Sequence, residues 1–316
     1  MYDVIGLGTL ATDVLMRVDR LPEADGFCVV KESVHQPGGS GTNVIVQLAR
    51  LGARCGYIGA VGDDALGREV TGSLEAEGVD AGRMVVRPGG ETLHTDIVVA
   101  DSGDKFIMLN MGNAFLSLRP DEVPDAALEG ARALYTDLLP KDAARDALVR
   151  AHRAGVETMV NIQVDVPTML GFGWTEEELW DVFPYIGVLA PCRAALYQLC
   201  GTKDLDACAE RIRERCAGTL VFTLGAKGSV AYAPDGERVE AGAAPADVVD
   251  TTGAGDSYIG AFTYAHCLRG ADLQGAMEFA SACAARTTEG LGARFSPTLD
   301  EVSRAGGRNW AEVLGA

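Results

Sequence analysis

Asp250-Thr251-Thr252-Gly253-Ala254-Gly255-Asp256 follows the apolar pair Val248-Val249 and opens a stretch in which Tyr258, Ile259, Ala261, Phe262, Ala265 and Leu268 recur at helical spacing. Glycines at the start of a helix leave backbone N–H groups uncovered. These donors lie at the positive end of the helix dipole, so the segment reads as an anion site suited to a phosphoryl group. Asp256 falls in the first turn. A carboxylate there can take a proton from an attacking hydroxyl while the N–H groups hold charge developing on the phosphoryl oxygens. Alone, G-x-G-D at a helix start is a capped tight turn.

A second glycine-rich segment, Pro37-Gly38-Gly39-Ser40-Gly41-Thr42-Asn43, stands before the helical pattern Val44 to Arg50. Two such openings suggest two ligands: small residues let a polyol approach the backbone, and Asn43 offers a donor and an acceptor to hydroxyls. Gly59-Ala60-Val61-Gly62-Asp63-Asp64-Ala65-Leu66-Gly67 puts acidic residues at a strand-to-helix turn, by itself a helix cap. Thr223-Leu224-Gly225-Ala226-Lys227-Gly228-Ser229 follows the strand pattern Leu220 to Phe222. It has the small residues of a turn beneath a flat or charged ligand, although glycines between strands are commonly plain turn residues.

Around these segments strand patterns (Val4-Ile5, Tyr57 to Val61, Ala133 to Tyr135, Thr158 to Ile162, Gly187 to Leu189, Leu220 to Thr223) alternate with helical ones. The helical patterns are Ala65 to Glu77, Lys141 to Arg153, Glu176 to Val182, Leu205 to Cys216, Ala254 to Leu268 and Asp272 to Thr287. This alternation predicts a doubly wound α/β fold, a mainly parallel sheet flanked by helices. Two pairs read instead as antiparallel strands: Val14 to Val18 with Phe27 to Ser33, and Leu93 to Ala100 with Lys105 to Met111 across the turn Asp101-Ser102-Gly103-Asp104. They predict a small β-sheet lid, about 14–35 and 92–112, projecting from a single domain over 1–316.

The 316 residues suffice for one large α/β domain. Lys and Arg number 27 against 45 Asp and Glu, and the resulting charge of −18 repels phosphate backbones and anionic lipid. Neither nucleic acid nor a membrane surface is therefore an expected partner. With 47% hydrophobic and 23% charged residues, the disordered class is excluded. Met1 to Leu10 lacks the features of a secretory signal, and no apolar run approaches the ~20 residues of a membrane helix, so a cytoplasmic protein is expected. The eight cysteines form no C-x-x-C pair and read as small buried hydrophobes of a reducing compartment. Cys192, Cys200, Cys208 and Cys216 recur every eight residues, which on a helix turns successive sulfurs by about 80° and argues against a metal site.

Gly6-Leu7-Gly8-Thr9-Leu10-Ala11 spells the dinucleotide fingerprint, but β-like Val14 to Val18 and Leu21-Pro22 stand where that fingerprint needs a helix. No G-x-x-x-x-G-K-[ST], H-E-x-x-H or G-x-S-x-G occurs, and His35, His94, His152 and His266 are scattered.

Taken in order, Gly38-Gly39 with Asn43, Leu51-Gly52 leading to Gly59 to Gly67, Thr223 to Gly228, and Asp250 to Asp256 resemble the PfkB, or ribokinase-like, sugar kinases over nearly the whole chain. The resemblance implies a ribokinase-like fold and transfer of the γ-phosphoryl of ATP to a sugar or nucleoside hydroxyl, with Mg²⁺ as cofactor. It places Asp256 on the general base and Gly253, Ala254 and Gly255 on the anion hole. Asp13, Gly38, Gly39 and Asn43 match positions that hold the acceptor, and Thr223, Gly225 and Gly228 match the ATP loop. Asp250 and Thr252 sit where some relatives bind K⁺, and the β lid in many members also forms a homodimer interface. One departure stands out: where the family carries Asn-x-x-Glu, tied to Mg²⁺ and phosphate handling, this chain reads Cys192-Arg193-Ala194-Ala195. Alanine cannot replace a glutamate that organises metal-bound water, so the resemblance implies an altered metal or phosphate handling here. The same loss leaves open a non-catalytic sugar- or nucleotide-binding homologue, and a nucleoside kinase is the other alternative. The acidic surface and the lack of basic residues around Gly38 to Asn43 favour a neutral acceptor over a sugar phosphate, with Arg17, Lys31 and Lys105 on the lid as the residues that could reverse this.

Overall fold

The structure, a computed structural model, describes residues 1–102, 104–306 and 308–315; Gly103 of the expected hairpin turn lies outside the described residues. The main sheet is built from β1 (Tyr2–Leu7), β4 (Cys55–Gly62), β5 (Asp80–Arg87), β8 (Ala131–Thr136), β9 (Glu157–Val160), β10 (Val188–Leu189), β11 (Thr219–Thr223), β12 (Ser229–Tyr232) and β13 (Arg238–Ala241). A smaller sheet contains β2 (Ala11–Val18), β3 (Glu32–Gly38), β6 (His94–Ala100) and β7 (Lys105–Asn110). The helices are α1 (Ser40–Arg50), α2 (Ala65–Ala76), α3 (Asp125–Glu129), α4 (Lys141–Arg153), α5 (Val166–Gly171), α6 (Glu176–Asp181), α7 (Arg193–Cys200), α8 (Leu205–Arg213), α9 (Ala254–Phe262), α10 (Leu273–Thr287), α11 (Leu299–Gly306) and α12 (Trp310–Val313).

The main sheet runs β13-β12-β11-β10-β9-β8-β1-β4-β5, parallel from β11 to β5, with β12 and β13 antiparallel. Helices cover both faces of a parallel sheet, so its inner strands are apolar on both sides. All eight residues of β4 and the last four of β1 are buried accordingly. The chain leaves β1 towards β4 and β5 on one side and returns to β8 on the other, which opens a crevice at the carboxyl ends of β1 and β8. The smaller sheet, β3-β2-β6-β7, branches off directly after β1. No helix follows Gly6-Leu7-Gly8, so the dinucleotide pattern has no structural counterpart.

β3 and β5 differ from the reading of the sequence in instructive ways, and β12, β13, α5, α7, α11 and α12 are further elements that reading does not contain. β3 starts at Glu32 rather than Phe27, and Phe27 stays outside the sheet, 86% exposed. The register explains this: Ala11 pairs with Gly38 and Arg17 with Glu32, so the strand is fixed from its glycine end. β5 carries Asp80, Arg83 and Arg87 on an edge of the main sheet, where charge interrupts any apolar run and guards the edge.

α9 is buried over Ser257 to Phe262 and packs against α1 and α10, which is why its apolar residues exceed a single stripe. No helix among the described residues is long and apolar enough to cross a membrane.

Candidate active site

The carboxyl ends of five parallel strands supply one crevice: Thr9 after β1, Asp137 after β8, Asn161 and Gln163 after β9, Cys192 after β10 and Thr223 at the end of β11. Into it points the start of α9. Gly253 caps that helix at φ 76°, and a β-carbon there would run into the backbone carbonyl of Ala293, so only glycine fits. The Ala254 N–H turns back to the Thr251 carbonyl (3.3 Å), and the Ser257 N–H starts the helical ladder on the Gly253 carbonyl (2.8 Å). The N–H groups of Gly253, Gly255 and Asp256 find no acceptor among the described residues, which leaves the dipole end with donors free for an anion.

Asp256 is enclosed by α1. Ser40 Oγ donates to its Oδ1 and Asn43 Nδ2 to its Oδ2 (2.9 Å), while part of the side chain stays open to a cavity. Burial pushes the Asp256 carboxyl up to about 6, against the pull of these two hydrogen bonds and of the Arg294 charge. The group is thus a stronger base than an exposed aspartate and still ionised at neutral pH.

Two cavities meet beside it. The larger, about 650 Å³, is lined by Thr223, Gly225 and Gly228, by Thr251, Ala254, Gly255 and Tyr258 of the α9 segment, and by small residues of α10 including Ser281, Ala284 and Ala285. The smaller, about 190 Å³, is lined by Ser40, Asn161, Gln163, Pro191, Ile259 and Asp256. Cys192, Thr223 and Gly255 line both, so the two spaces adjoin where the free N–H groups and the carboxylate converge. A separate hollow of about 540 Å³ at Trp180, Thr202, Glu210 and Arg211 shares no lining residue with either.

The remaining sequence candidates sit at the root of the small sheet. Asp13 on β2 accepts from Thr95 Oγ1 (2.7 Å), and burial raises its carboxyl above the usual aspartate range. Gly38 lies against the Asp13 carboxyl with no room for a β-carbon. Gly39, at φ 85°, passes so close to Leu10 and Ala11 that a β-carbon would lie 2.7 Å from their backbone. Asn43 lies within α1, which begins at Ser40, and both ends of its amide are engaged inside the protein. None of these four lines either cavity.

Several site residues were not singled out from the sequence. Asp137, fully buried at the strand switch, accepts from the Thr9 N–H (2.7 Å), Gln163 Nε2 (2.6 Å) and the Leu139 N–H (3.2 Å). Burial pushes it up to about 7 despite those donors, and the charge on Asp256 adds to the rise. Its position directly after a central strand was the available signal. Ser40 lay within the quoted glycine segment. Arg294 reaches the site from the far end of the chain, and nothing local marks it.

The metal expectations can be set against these side chains. Among the described residues no carboxylate lines the larger cavity, and Arg193 is its one charged residue. Cys192 caps α7, its Sγ accepting from the Ala195 N–H at 3.5 Å, and Ala195 is buried. A hard cation such as Mg²⁺ takes oxygen ligands, so this donor set does not fit a protein-anchored Mg²⁺. Asp250 uses Oδ1 for the Thr252 N–H (3.0 Å) and hydroxyl (2.7 Å) and Oδ2 for the Gly292 N–H (3.0 Å). Among the described residues no three His, Cys, Asp or Glu side chains gather as metal ligands.

Comparison with known proteins places this arrangement. An ATP-dependent ribose-1-phosphate kinase of Halopiger xanaduensis is 32% identical over 306 residues, 96% of this chain and 97% of that protein. A nucleoside kinase of Methanothermobacter thermautotrophicus is 28% identical over 309 residues, 98% of this chain and 96% of that one. The crystal structure of a ribokinase from Thermotoga maritima superposes with a TM-score of 0.83 at 22% identity, covering 96% of this chain and 99% of the other. The model of the pfkB family carbohydrate kinases matches residues 1–299. This chain, with its parallel sheet, separate small sheet and glycine-opened helix, belongs to the pfkB family of carbohydrate kinases.

Proposed function

We propose that this protein transfers the γ-phosphoryl group of ATP to a hydroxyl of a small, neutral sugar or sugar-like acceptor. The observation that carries the reading is the junction of the two cavities at Cys192, Thr223 and Gly255, with the Asp256 carboxylate and the free N–H groups of α9 beside it. The adenine nucleotide occupies the larger cavity, its phosphates running from Thr223, Gly225 and Gly228 towards Gly255. The acceptor enters from the small-sheet side, with Asp13, Gly38 and Gly39 at its edge. Asp256 takes the hydroxyl proton as the acceptor oxygen bonds to γ-phosphorus, and the bond from γ-phosphorus to the bridging oxygen breaks to release ADP. The N–H groups of Gly253, Gly255 and Asp256 stabilise charge on the transferring oxygens.

The choice of a neutral acceptor rests on charge. Three buried or half-buried carboxylates, Asp13, Asp137 and Asp256, stand on the acceptor side against one cation, Arg294, whose donors are taken by Asn43, Ser73 and the Gly38 carbonyl, while Lys31 pairs with Asp101 (2.6 Å) and Arg17 with Glu32 (3.8 Å). The Asp250 carboxyl is held below its usual range, against burial, by hydrogen bonds from Thr252 and Gly292, with the Lys105 charge on β7 adding to them. Mg²⁺ is given no protein carboxylate in the nucleotide cavity, and K⁺ rests on the Asp250–Thr252 turn alone. β7 exposes Phe106, Ile107, Met108 and Leu109 on a free edge, which supports a homodimer formed through the small sheet. Eight free thiols, five of them buried, suit a reducing cytoplasm. The test is ADP release from ATP across neutral sugars, sugar acids, sugar phosphates and nucleosides. Turnover with neutral sugars supports the reading; turnover confined to sugar phosphates or nucleosides replaces the acceptor class, and ATP binding without turnover identifies a non-catalytic binder.

A further inference from the structure

Arg294, in the loop between α10 and α11, is a half-buried cation that forms no ion pair within 4 Å among the described residues. Its donors go to neutral acceptors: Nε to Asn43 Oδ1 (3.1 Å), Nη1 to Ser73 Oγ (3.0 Å) and Nη2 to the Gly38 carbonyl (3.4 Å). The loop is fastened to α1, since Arg50 Nη1 donates to the carbonyls of Arg294 and Ser296 (both 2.6 Å) and Gln47 Nε2 to that of Pro297 (2.9 Å). Burial brings the guanidinium down to about 10, so it stays charged at neutral pH.

We propose that Arg294 is a positioning residue for phosphoryl transfer: by holding Asn43 Oδ1 it leaves Asn43 Nδ2 to donate to Asp256, which orients the base. This rests on the kinase reading above. The two ends of an asparagine amide are nearly equal in shape, and only their partners decide which way the group faces. Arg294 can only donate, so it selects Oδ1. The Asp256 carboxylate selects Nδ2 in the same way, and without Arg294 the amide loses its second anchor, so the Nδ2–Asp256 bond is held less firmly in line. Burial opposes the ionised form of Asp256, whereas the Ser40 and Asn43 hydrogen bonds and the guanidinium charge favour it. Asp256 is faced by Ser40 and Asn43 from α1, by Tyr135 from β8 and Asp137 just after it, and by Arg294; Arg294 itself is influenced by Asp13, Tyr57, Glu77 and Arg50.

Arg294→Met keeps the apolar stem, and Arg294→Lys keeps a charge without the planar fork. For Met, the acid limb of the kcat profile is expected to move up by about one pH unit, the scale of losing a nearby opposite charge together with the anchor of the Asn43 bond. At pH 6, where the ionised fraction drops from about a half to about a tenth, kcat then falls about fivefold while KM for ATP holds, and most of the loss is recovered above pH 8. Lys restores part of the shift. A uniform loss at every pH, or an unmoved limb, overturns the proposal. The Asp256 carboxyl is also followed by ¹³C NMR, assigned with Asp256→Asn, in wild type and Arg294→Met. This titration needs no turnover: an upward shift in the variant upholds the positioning role even if every acceptor is silent, and an unchanged titration refutes it. If Met does not fold, Arg294→Gln is titrated instead: it drops the charge but still donates to Asn43, so a smaller upward shift is expected, and an unchanged titration refutes the role.

Discussion

Gly253 and Gly255 stand two residues apart at the start of α9, yet replacing each by alanine should move stability in opposite directions. Gly253 adopts φ 76°, a conformation costing a residue with a side chain roughly 1–2 kcal/mol. Its new methyl would also run into the Ala293 backbone, and relieving such overlap costs typically ~1–3 kcal/mol. Gly253→Ala is therefore expected to lose about 2–5 kcal/mol, a drop of several degrees in Tm. Gly255 has an ordinary helical backbone and nothing within 4 Å of an added β-carbon, so alanine there should gain about 0.5 kcal/mol through the unfolded state. That open space is where the two cavities adjoin, and the methyl of Gly255→Ala would occupy the path of the transferring group. Stability and activity are thus expected to part company: wild-type Tm or better, with kcat/KM for ATP reduced about tenfold or more. Thermal denaturation and steady-state ADP release on both variants decide the matter. A Gly255→Ala enzyme with full activity would show that phosphates do not pass Gly255, and an undiminished Tm in Gly253→Ala would refute the packing derived for the helix start.

Other consequences follow from the buried charges and the exposed strand. Asp137 is raised to about 7 and Asp256 to about 6 in the folded protein, so the native state holds protons that the unfolded chain releases above its ordinary aspartate range. Stability should fall as pH rises from about 4 to 7, and Asp137→Asn should flatten that decline in urea titrations at pH 5 and pH 8; an unchanged slope would count against burial as the cause. Because no carboxylate lines the larger cavity and Arg193 does, ATP affinity by calorimetry should drop no more than about tenfold when EDTA replaces Mg²⁺, and Arg193→Ala should weaken binding in both conditions. Complete loss of binding in EDTA would contradict this. Ile107 on β7 is 56% exposed, and Ile107→Lys should convert a dimer to a monomer in sedimentation, with Tm shifted by less than about a degree. A wild-type monomer would remove the interface.

What the sequence made legible was local. Strand-to-helix alternation, the glycine-opened α9 and the Thr223 to Gly228 turn are patterns within a few residues, and the parallel sheet and its flanking helices follow from them. β3 was misplaced because its register is set at Gly38 by pairing with Ala11, not by the apolar residues Phe27, Val29 and Val30, which stay exposed. β5 went unread because an edge strand is charged. In the candidate site, Asp256 is a proposal legible from its place in the first helical turn, whereas the groups that surround it come from afar. Arg294 is 251 residues from Asn43, and Asp137 is 128 residues from Thr9, so only the fold brings these partners together. Asn43 was read as a group offered to hydroxyls; in the structure its amide is occupied by Arg294 and Asp256.

The decisive experiment compares wild type with Asp256→Asn for ADP release in the acceptor panel, with ATP binding measured calorimetrically on both. Proton transfer to a positioned base contributes typically about 10²–10⁴ in rate, so kcat with the active acceptor should fall by that factor while ATP still binds. Near-wild-type turnover in Asp256→Asn would remove the carboxylate from the reaction and contradict the mechanism derived from the two adjoining cavities.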